Sequence, residues 1–219
     1  MNKDEQLRFL LEHGLVAIVR IKEPGDLVHV AQAIEAGGVR VIEFTMTTPN
    51  ALEALKELSR EWGDRILLGA GTVLDAETAR AALLAGAQFL VAPTFNPAVV
   101  KLARRYSKIM IPGAFTPSEI LAAWECGADI VKVFPATALG PQFIKDVLAP
   151  LPQVRLLPTG GVNLETIEGF ILAGAAALAV GGNLVESRLV REKDWAGLTQ
   201  NAQRFAEAVK KARAKLNPA

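Results

Sequence analysis

Short apolar runs alternate with stretches of helical periodicity along almost the whole chain. Four runs follow one signal: Ala36-Gly37-Gly38 leads into 39–43, Ala85-Gly86-Ala87 into 88–91, Cys126-Gly127-Ala128 into 129–134, and Ala173-Gly174-Ala175 into 176–180. Each glycine stands where a helix C-cap belongs, and each run after it reads as a strand. Four further apolar runs lie between them, at 15–19, 66–68, 109–111 and 154–157. The spacing elsewhere predicts helices over 27–36, 51–62, 76–85, 98–106, 118–125, 143–148 and 164–173, and a last amphipathic helix over 198–216. Residues 5–11 are expected to form a helix over the floor. Eight strands alternating with helices, self-similar in every second unit, predict an α/β fold: a single (β/α)8 TIM barrel over 1–219 with an N-terminal capping helix. A doubly wound open sheet is the alternative. It usually has fewer strands, and no dinucleotide fingerprint follows the first one.

Composition narrows the function classes. With 51% hydrophobic residues and 6% aromatic, the core is one of Ala, Val, Ile and Leu, and 219 residues are enough for one full core. Lysine plus arginine (24) nearly balances aspartate plus glutamate (23), so nothing points to nucleic acid or an anionic membrane as partner. An anionic ligand must be caught locally. The lone Cys126 reads as a small hydrophobe at a helix end, and a chain without disulfides suits a reducing compartment. Residues 1–12 are charged throughout and lack a signal-peptide core. The longest uncharged reach, 170–185, is broken by Gly174, Gly181 and Gly182 and is short for a bilayer. A cytoplasmic protein is expected.

One run breaks the apolar pattern. In 129–134 the side chains of Ile130, Lys132 and Phe134 point one way and those of Val131 and Val133 the other. Both sets are apolar apart from Lys132, as suits a parallel strand covered on both faces. An ammonium there loses its hydration, so it is paired, partly wetted, or held with a lowered pKa. In the last state it is a good nucleophile towards a carbonyl carbon. A snorkelling edge lysine or a buried ion pair is the plain alternative.

In a barrel, chemistry gathers at the C-terminal ends of the strands. Those ends read Arg20; Glu43 with Thr45 and Thr47; Gly69-Ala70-Gly71-Thr72; Pro93-Thr94; Pro112-Gly113; Lys132 with Phe134-Pro135; Thr159-Gly160-Gly161; and Gly181-Gly182-Asn183. Glu43 and Lys132 stand out on even-numbered strands, whose inward residues share layers. Val39 and Val41 are expected on the face of Glu43. A buried carboxylate and amine shift each other's pKa, so that one acts as nucleophile while the other moves protons. A pair that only holds strand register is the alternative. The glycine pairs after the seventh and eighth strands stand where barrels hold phosphate on bare backbone N–H groups, although tight turns want glycine in any case. Asn163 or Asn183 is expected to cap the helix that follows. His13 and His29 fall in helices away from the strand ends, so no metal and no cofactor are expected.

Five motifs in order carry a resemblance: Gly37-Gly38-Val39-Arg40-Val41-Ile42-Glu43, Gly69-Ala70-Gly71-Thr72-Val73, Val131-Lys132-Val133-Phe134-Pro135-Ala136, Pro158-Thr159-Gly160-Gly161-Val162 and Gly181-Gly182. Over about residues 16 to 185 the chain resembles the class I aldolases that cleave 2-keto-3-deoxy-6-phosphogluconate (KDPG) and the related 4-hydroxy-2-oxoglutarate (KHG) enzymes. The resemblance implies a metal-independent carbon–carbon lyase that releases pyruvate and D-glyceraldehyde 3-phosphate, working as a homotrimer. It implies that Lys132 forms the Schiff base and that Glu43 shuttles protons. It implies that Thr72 binds the pyruvate carboxylate and that Pro93 and Phe134 wall the pocket. Thr159, Gly160, Gly161, Gly181 and Gly182 match the phosphate cradle, and Asn183 stands where many members have serine. One position departs. Thr47 occupies the place of an arginine that holds the carboxylate in many members, and Arg20 is expected to take over, which bears on substrate range and not on the reaction. The same chemistry on KHG or on the 6-phosphogalactonate epimer is a second reading. A phosphosugar-binding or trimeric scaffold protein with an idle lysine is a third.

Overall fold

The computed structural model describes residues 1–21 and 26–216. Of the expected 1–219 unit, 22–25 and 217–219 lie outside the described residues. The strands are β1 (Leu15–Val19), β2 (Val41–Thr45), β3 (Leu67–Gly71), β4 (Phe89–Val91), β5 (Ile109–Ile111), β6 (Gly113–Ala114), β7 (Val131–Val133), β8 (Leu156–Pro158) and β9 (Leu178–Val180). The helices are α1 (Lys3–His13), α2 (Leu27–Ala36), α3 (Ala51–Trp62), α4 (Ala76–Leu84), α5 (Pro97–Arg105), α6 (Pro117–Cys126), α7 (Gly140–Leu148), α8 (Ile167–Leu172), α9 (Ser187–Arg191) and α10 (Trp195–Ala214). Six strands pair in the order β5-β4-β3-β2-β1-β9, and β6-β7-β8 form a second sheet. Every pairing is parallel.

Nine strands stand among the described residues where eight were expected, because Pro112 splits the fifth. Proline has no N–H to donate, and the two halves, β5 and β6, pair with different neighbours. Backbone bonds still cross that seam, from Asp129 N–H to Met110 O (3.0 Å) and from Lys132 N–H to Pro112 O (2.8 Å). At the other seam Thr159 bridges Ala179, and Ala176 N–H donates to Leu156 O at 2.9 Å. The result is a curled parallel sheet.

Strand alternation divides the core. Ala17, Ile42, Phe44, Val131 and Val133 belong to the large cluster that also takes in the helices. Val16, Ile18, Val41, Leu67, Phe89, Ile130 and Leu157 meet in a smaller inner cluster, joined by Leu10 of α1. Val39 differs from its expected face: it joins the outer cluster. Gly38 turns the chain at φ +88°, and the ladder begins only at Val41. The helix expected over 164–173 starts later, at Ile167. Asn163 Oδ1 accepts the N–H groups of Glu165 and Thr166, both at 2.9 Å, and holds those residues in a turn.

Candidate active site

Lys132 is the middle residue of β7, opposite Gly113 on one side and Leu157 on the other. It is 6% exposed, and its Nζ lies 5.1 Å from the centroid of the Phe134 ring. Glu43, the middle residue of β2, is opposite Ile18 and Gly69 and 1% exposed. Two of the inner positions of β3, Gly69 and Gly71, are glycines for a steric reason. A Cβ on Gly71 would lie 2.5 Å from Glu43 Oε1, and one on Gly69 would enter the Phe89 ring. Glu43 Oε2 is buried with no hydrogen-bond partner.

Burial dominates the electrostatics of both groups. Lost hydration raises the Glu43 pKa, against the opposing pull of the Lys132 and Arg20 charges. Lost hydration lowers the Lys132 pKa; the Glu43 charge opposes this and the Arg20 charge adds to it. The ion pairs among the described residues do not include Glu43 with Lys132, so the two are more than 4.0 Å apart. At that range and an effective dielectric of about 20, their attraction is below about 4 kcal/mol, while each buried ion forfeits several kcal/mol of hydration. Desolvation wins, and both sit towards their neutral forms. A neutral amine attacks carbonyl carbon, and a carboxyl group near the working pH passes protons in either direction.

Around this pair the strand ends supply polar groups. Arg20 follows Val16 and Ile18 in the inner alternation and is exposed at the end of β1. Thr47, also exposed, donates its hydroxyl to Thr45 Oγ1 at 3.2 Å, and Thr45 and Thr48 share a 3.0 Å bond. Thr45 is fully buried and two residues beyond Glu43, so the period of two puts it on the same face. Thr72 has φ +58°, a left-handed conformation that costs a β-branched residue energy and that clusters at functional sites. Pro93 is half-buried, with its backbone packed where a Cβ of Gly113 would stand.

The two glycine turns lie side by side. Asn183 is exposed, and its Nδ2 donates to Val162 O at 2.9 Å, so it ties the turn after β9 to the turn after β8 and caps no helix. Asn201 of α10, buried, donates to the carbonyls of Asn183 and Leu184 at 2.9 Å each. Sequence reasoning missed this brace, since nothing local marks a helical asparagine as facing a distant loop. Gly181 is half-buried and Gly182 exposed. Gly160 and Gly161 adopt φ of +89° and +70°. Thr159 alternates with Leu157 and so turns its side chain inward, where its Oγ1 is buried without a partner.

The histidines stay apart from this site: His13 Nδ1 bonds Phe9 O, and His29 stacks on Trp195. Among the described residues no three His, Cys, Asp or Glu side chains gather as metal ligands, and no helix is long and apolar enough to cross a membrane. Two clefts, about 490 and 340 Å³, open at the far ends of the strands around Arg213. That guanidinium is already spent on the carbonyls of Leu11, Glu12 and Ala176.

A desolvated amine and a desolvated carboxyl inside a curled parallel sheet define a class, that of α/β proteins equipped for carbonyl chemistry through an imine. The family model for KDPG and KHG aldolase matches residues 7–201, and the chain belongs to that family of carbon–carbon lyases. It is 38% identical over 197 residues to the 2-dehydro-3-deoxy-phosphogluconate aldolase of Treponema pallidum (strain Nichols), covering 89% of this chain and 93% of that one. It is 34% identical over 200 residues to the 2-dehydro-3-deoxy-6-phosphogalactonate aldolase of Escherichia coli (strain K12), covering 90% and 95%. The crystal structure of KDPG aldolase from Legionella pneumophila, with pyruvate captured as a covalent carbinolamine intermediate, superposes with a TM-score of 0.83 at 29% identity, over 90% of this chain and 96% of that one.

Proposed function

We propose that this protein is a class I aldolase that reversibly cleaves KDPG to pyruvate and D-glyceraldehyde 3-phosphate, with Lys132 as nucleophile and Glu43 as proton carrier. The observation that carries the reading is Lys132 itself, an amine 6% exposed in an apolar strand and deprived of hydration. Neutral Nζ adds to the C2 keto carbon, and the carbinolamine loses water to give an iminium. The iminium draws the electron pair of the C3–C4 bond while Glu43, through a water, takes the proton of the C4 hydroxyl. Glyceraldehyde 3-phosphate departs, the enamine gains a proton at C3, and hydrolysis returns pyruvate and the free amine. Its raised pKa brings Glu43 towards the pH at which a single group both accepts and donates well.

Arg20 and Thr72 hold the substrate carboxylate, with Thr47 on the rim, and Pro93 and Phe134 wall the pocket. The N–H groups of Gly160, Gly161, Gly181 and Gly182, bordered by Thr159 and Asn183, take the phosphate, whose binding energy is remote from the reacting carbons. The backbone bonds across both seams support closure into a (β/α)8 barrel, one domain over 1–219, with α1 as its floor. Leu84 and Leu74, 69% and 51% exposed, offer apolar surface suited to a homotrimer, which we place in the cytoplasm. The relatives' names support KHG and the phosphogalactonate epimer as further substrates of the same chemistry, and relative turnover ranks them.

The test is reduction with borohydride in saturating pyruvate. A stable mass adduct is expected on Lys132 and is lost in Lys132→Ala. Absence of any adduct on the unaltered protein overturns the reading.

A further inference from the structure

Immediately after the Lys132 strand, a single 3-10 turn (Ala136–Ala138) brings Thr137 over the double-glycine turn. A Cβ on Gly161 would lie 2.9 Å from Thr137 Cα, and one on Gly160 would lie 3.1 Å from Thr137 Oγ1. The threonine and the bare backbone of Gly160–Gly161 are therefore in direct contact, and Thr137 is exposed, so its hydroxyl is open to a ligand. The contact is pinned: Ala136 N–H donates to Thr159 O at 2.8 Å, and Thr159 N–H donates to Val133 O at 3.0 Å. Beside it the Oγ1 of Thr159 is a second polar atom, buried and without a hydrogen-bond partner.

We propose that Thr137 is a further specificity-determining residue, its hydroxyl donating to the phosphate of a substrate seated on Gly160–Gly161; this rests on the aldolase reading above. A phosphate monoester carries close to two negative charges and three acceptor oxygens. A neutral hydroxyl meets it with a charge-assisted bond, whereas a carboxylate in the same place repels it. Thr137 follows Lys132 by five residues on one hydrogen-bonded segment. The same piece of chain thus sets the distance between the imine carbon and the phosphate, which is what presents the C3–C4 bond for cleavage.

The experiment compares unaltered protein with Thr137→Val, Thr137→Ser and Thr137→Glu on KDPG and on the same sugar acid without its phosphate. A bond to a charged group is worth at least about 1.5 kcal/mol, so Thr137→Val lowers the ratio of kcat/KM for the two substrates about tenfold, chiefly through KM. Thr137→Ser restores the ratio to within about twofold, Thr137→Glu depresses it below Thr137→Val, and Thr137→Val weakens competitive inhibition by inorganic phosphate about tenfold. A ratio unchanged in Thr137→Val overturns the role of Thr137 alone, provided that the unaltered protein still traps pyruvate on Lys132. Failure to trap overturns both readings.

Discussion

Glu43 and Lys132 feel each other's charge inside the curled sheet, yet each is held towards its neutral form because lost hydration outweighs their attraction. A tight ion pair would have silenced both groups. The steric arrangement sustains this state: Gly71 admits the carboxyl group on one side, and Phe134 stands beside the amine.

The rate of borohydride trapping with pyruvate should rise with pH about a midpoint below the ordinary lysine value of 10.5. The Glu43 charge favours the ammonium, so Glu43→Gln moves the midpoint down; the Arg20 charge disfavours it, so Arg20→Ala moves it up. Glu43→Gln should still form adduct, while its turnover falls by about 10²–10⁴, the usual contribution of a positioned acid–base group. Trapping rates measured against pH, with a midpoint that ignores both substitutions, would contradict the electrostatic account.

Arg20→Ala should weaken binding of the keto acid. Thr47 is a neutral hydroxyl bonded to Thr45, so the proposed carboxylate site draws positive charge from Arg20 at the end of β1. Loss of a charge-assisted bond, about 1.5–3 kcal/mol, corresponds to a rise in KM of about tenfold to a hundredfold. Equal KM values in the two proteins would remove the carboxylate role of Arg20.

Lys132→Met should stabilise the protein as it abolishes activity. The folded pKa of Lys132 is depressed, so its stability contribution is complete above the unfolded value and is lost as pH falls towards the folded one. At neutral pH the buried amine is therefore a burden, and the apolar replacement gains at least about 1 kcal/mol, roughly 2–4 °C in Tm. Thermal melts should show that gain shrinking as pH is raised towards 10.5. A loss of stability at pH 7 would show the amine to be well paired.

Gly71→Ala places a methyl group 2.5 Å from Glu43 Oε1. The carboxyl group has to move, at a cost of about 1–3 kcal/mol in stability, and kcat should fall at least about tenfold while pyruvate trapping persists. Parallel measurement of kcat and adduct yield separates this from general unfolding, which would reduce both.

Much of this protein was legible along the chain. Ile130, Lys132 and Phe134 against Val131 and Val133 follow from the period of two, and the two clusters divide as that period requires. The glycines after α2, α4, α6 and α8 marked where the next strand would begin, because a left-handed cap is a local steric matter, and Gly38, Gly86, Gly127 and Gly174 all take positive φ. Thr45, named with Glu43 at the strand end, lies two residues past it on the same face, as the period of two requires, and is fully buried. Val39 misled for a local reason too: its parity matched Val41, but Gly38 turns the chain before the ladder begins.

Other features had no signature of their own. The depth of Glu43 against Gly71, the brace from Asn201 to the turn after β9, the link from Asn183 to Val162, and Thr137 resting on Gly160–Gly161 all join residues remote in sequence or held by another element's backbone. Periodicity and caps depend on stereochemistry between near neighbours, so order along the chain was enough to reach most of the strands and helices, though not β6 or α9, and the out-of-place lysine. Proton affinity and steric fit depend on which groups are brought within a few ångströms and how much water is expelled, and only packing of the whole chain decides that.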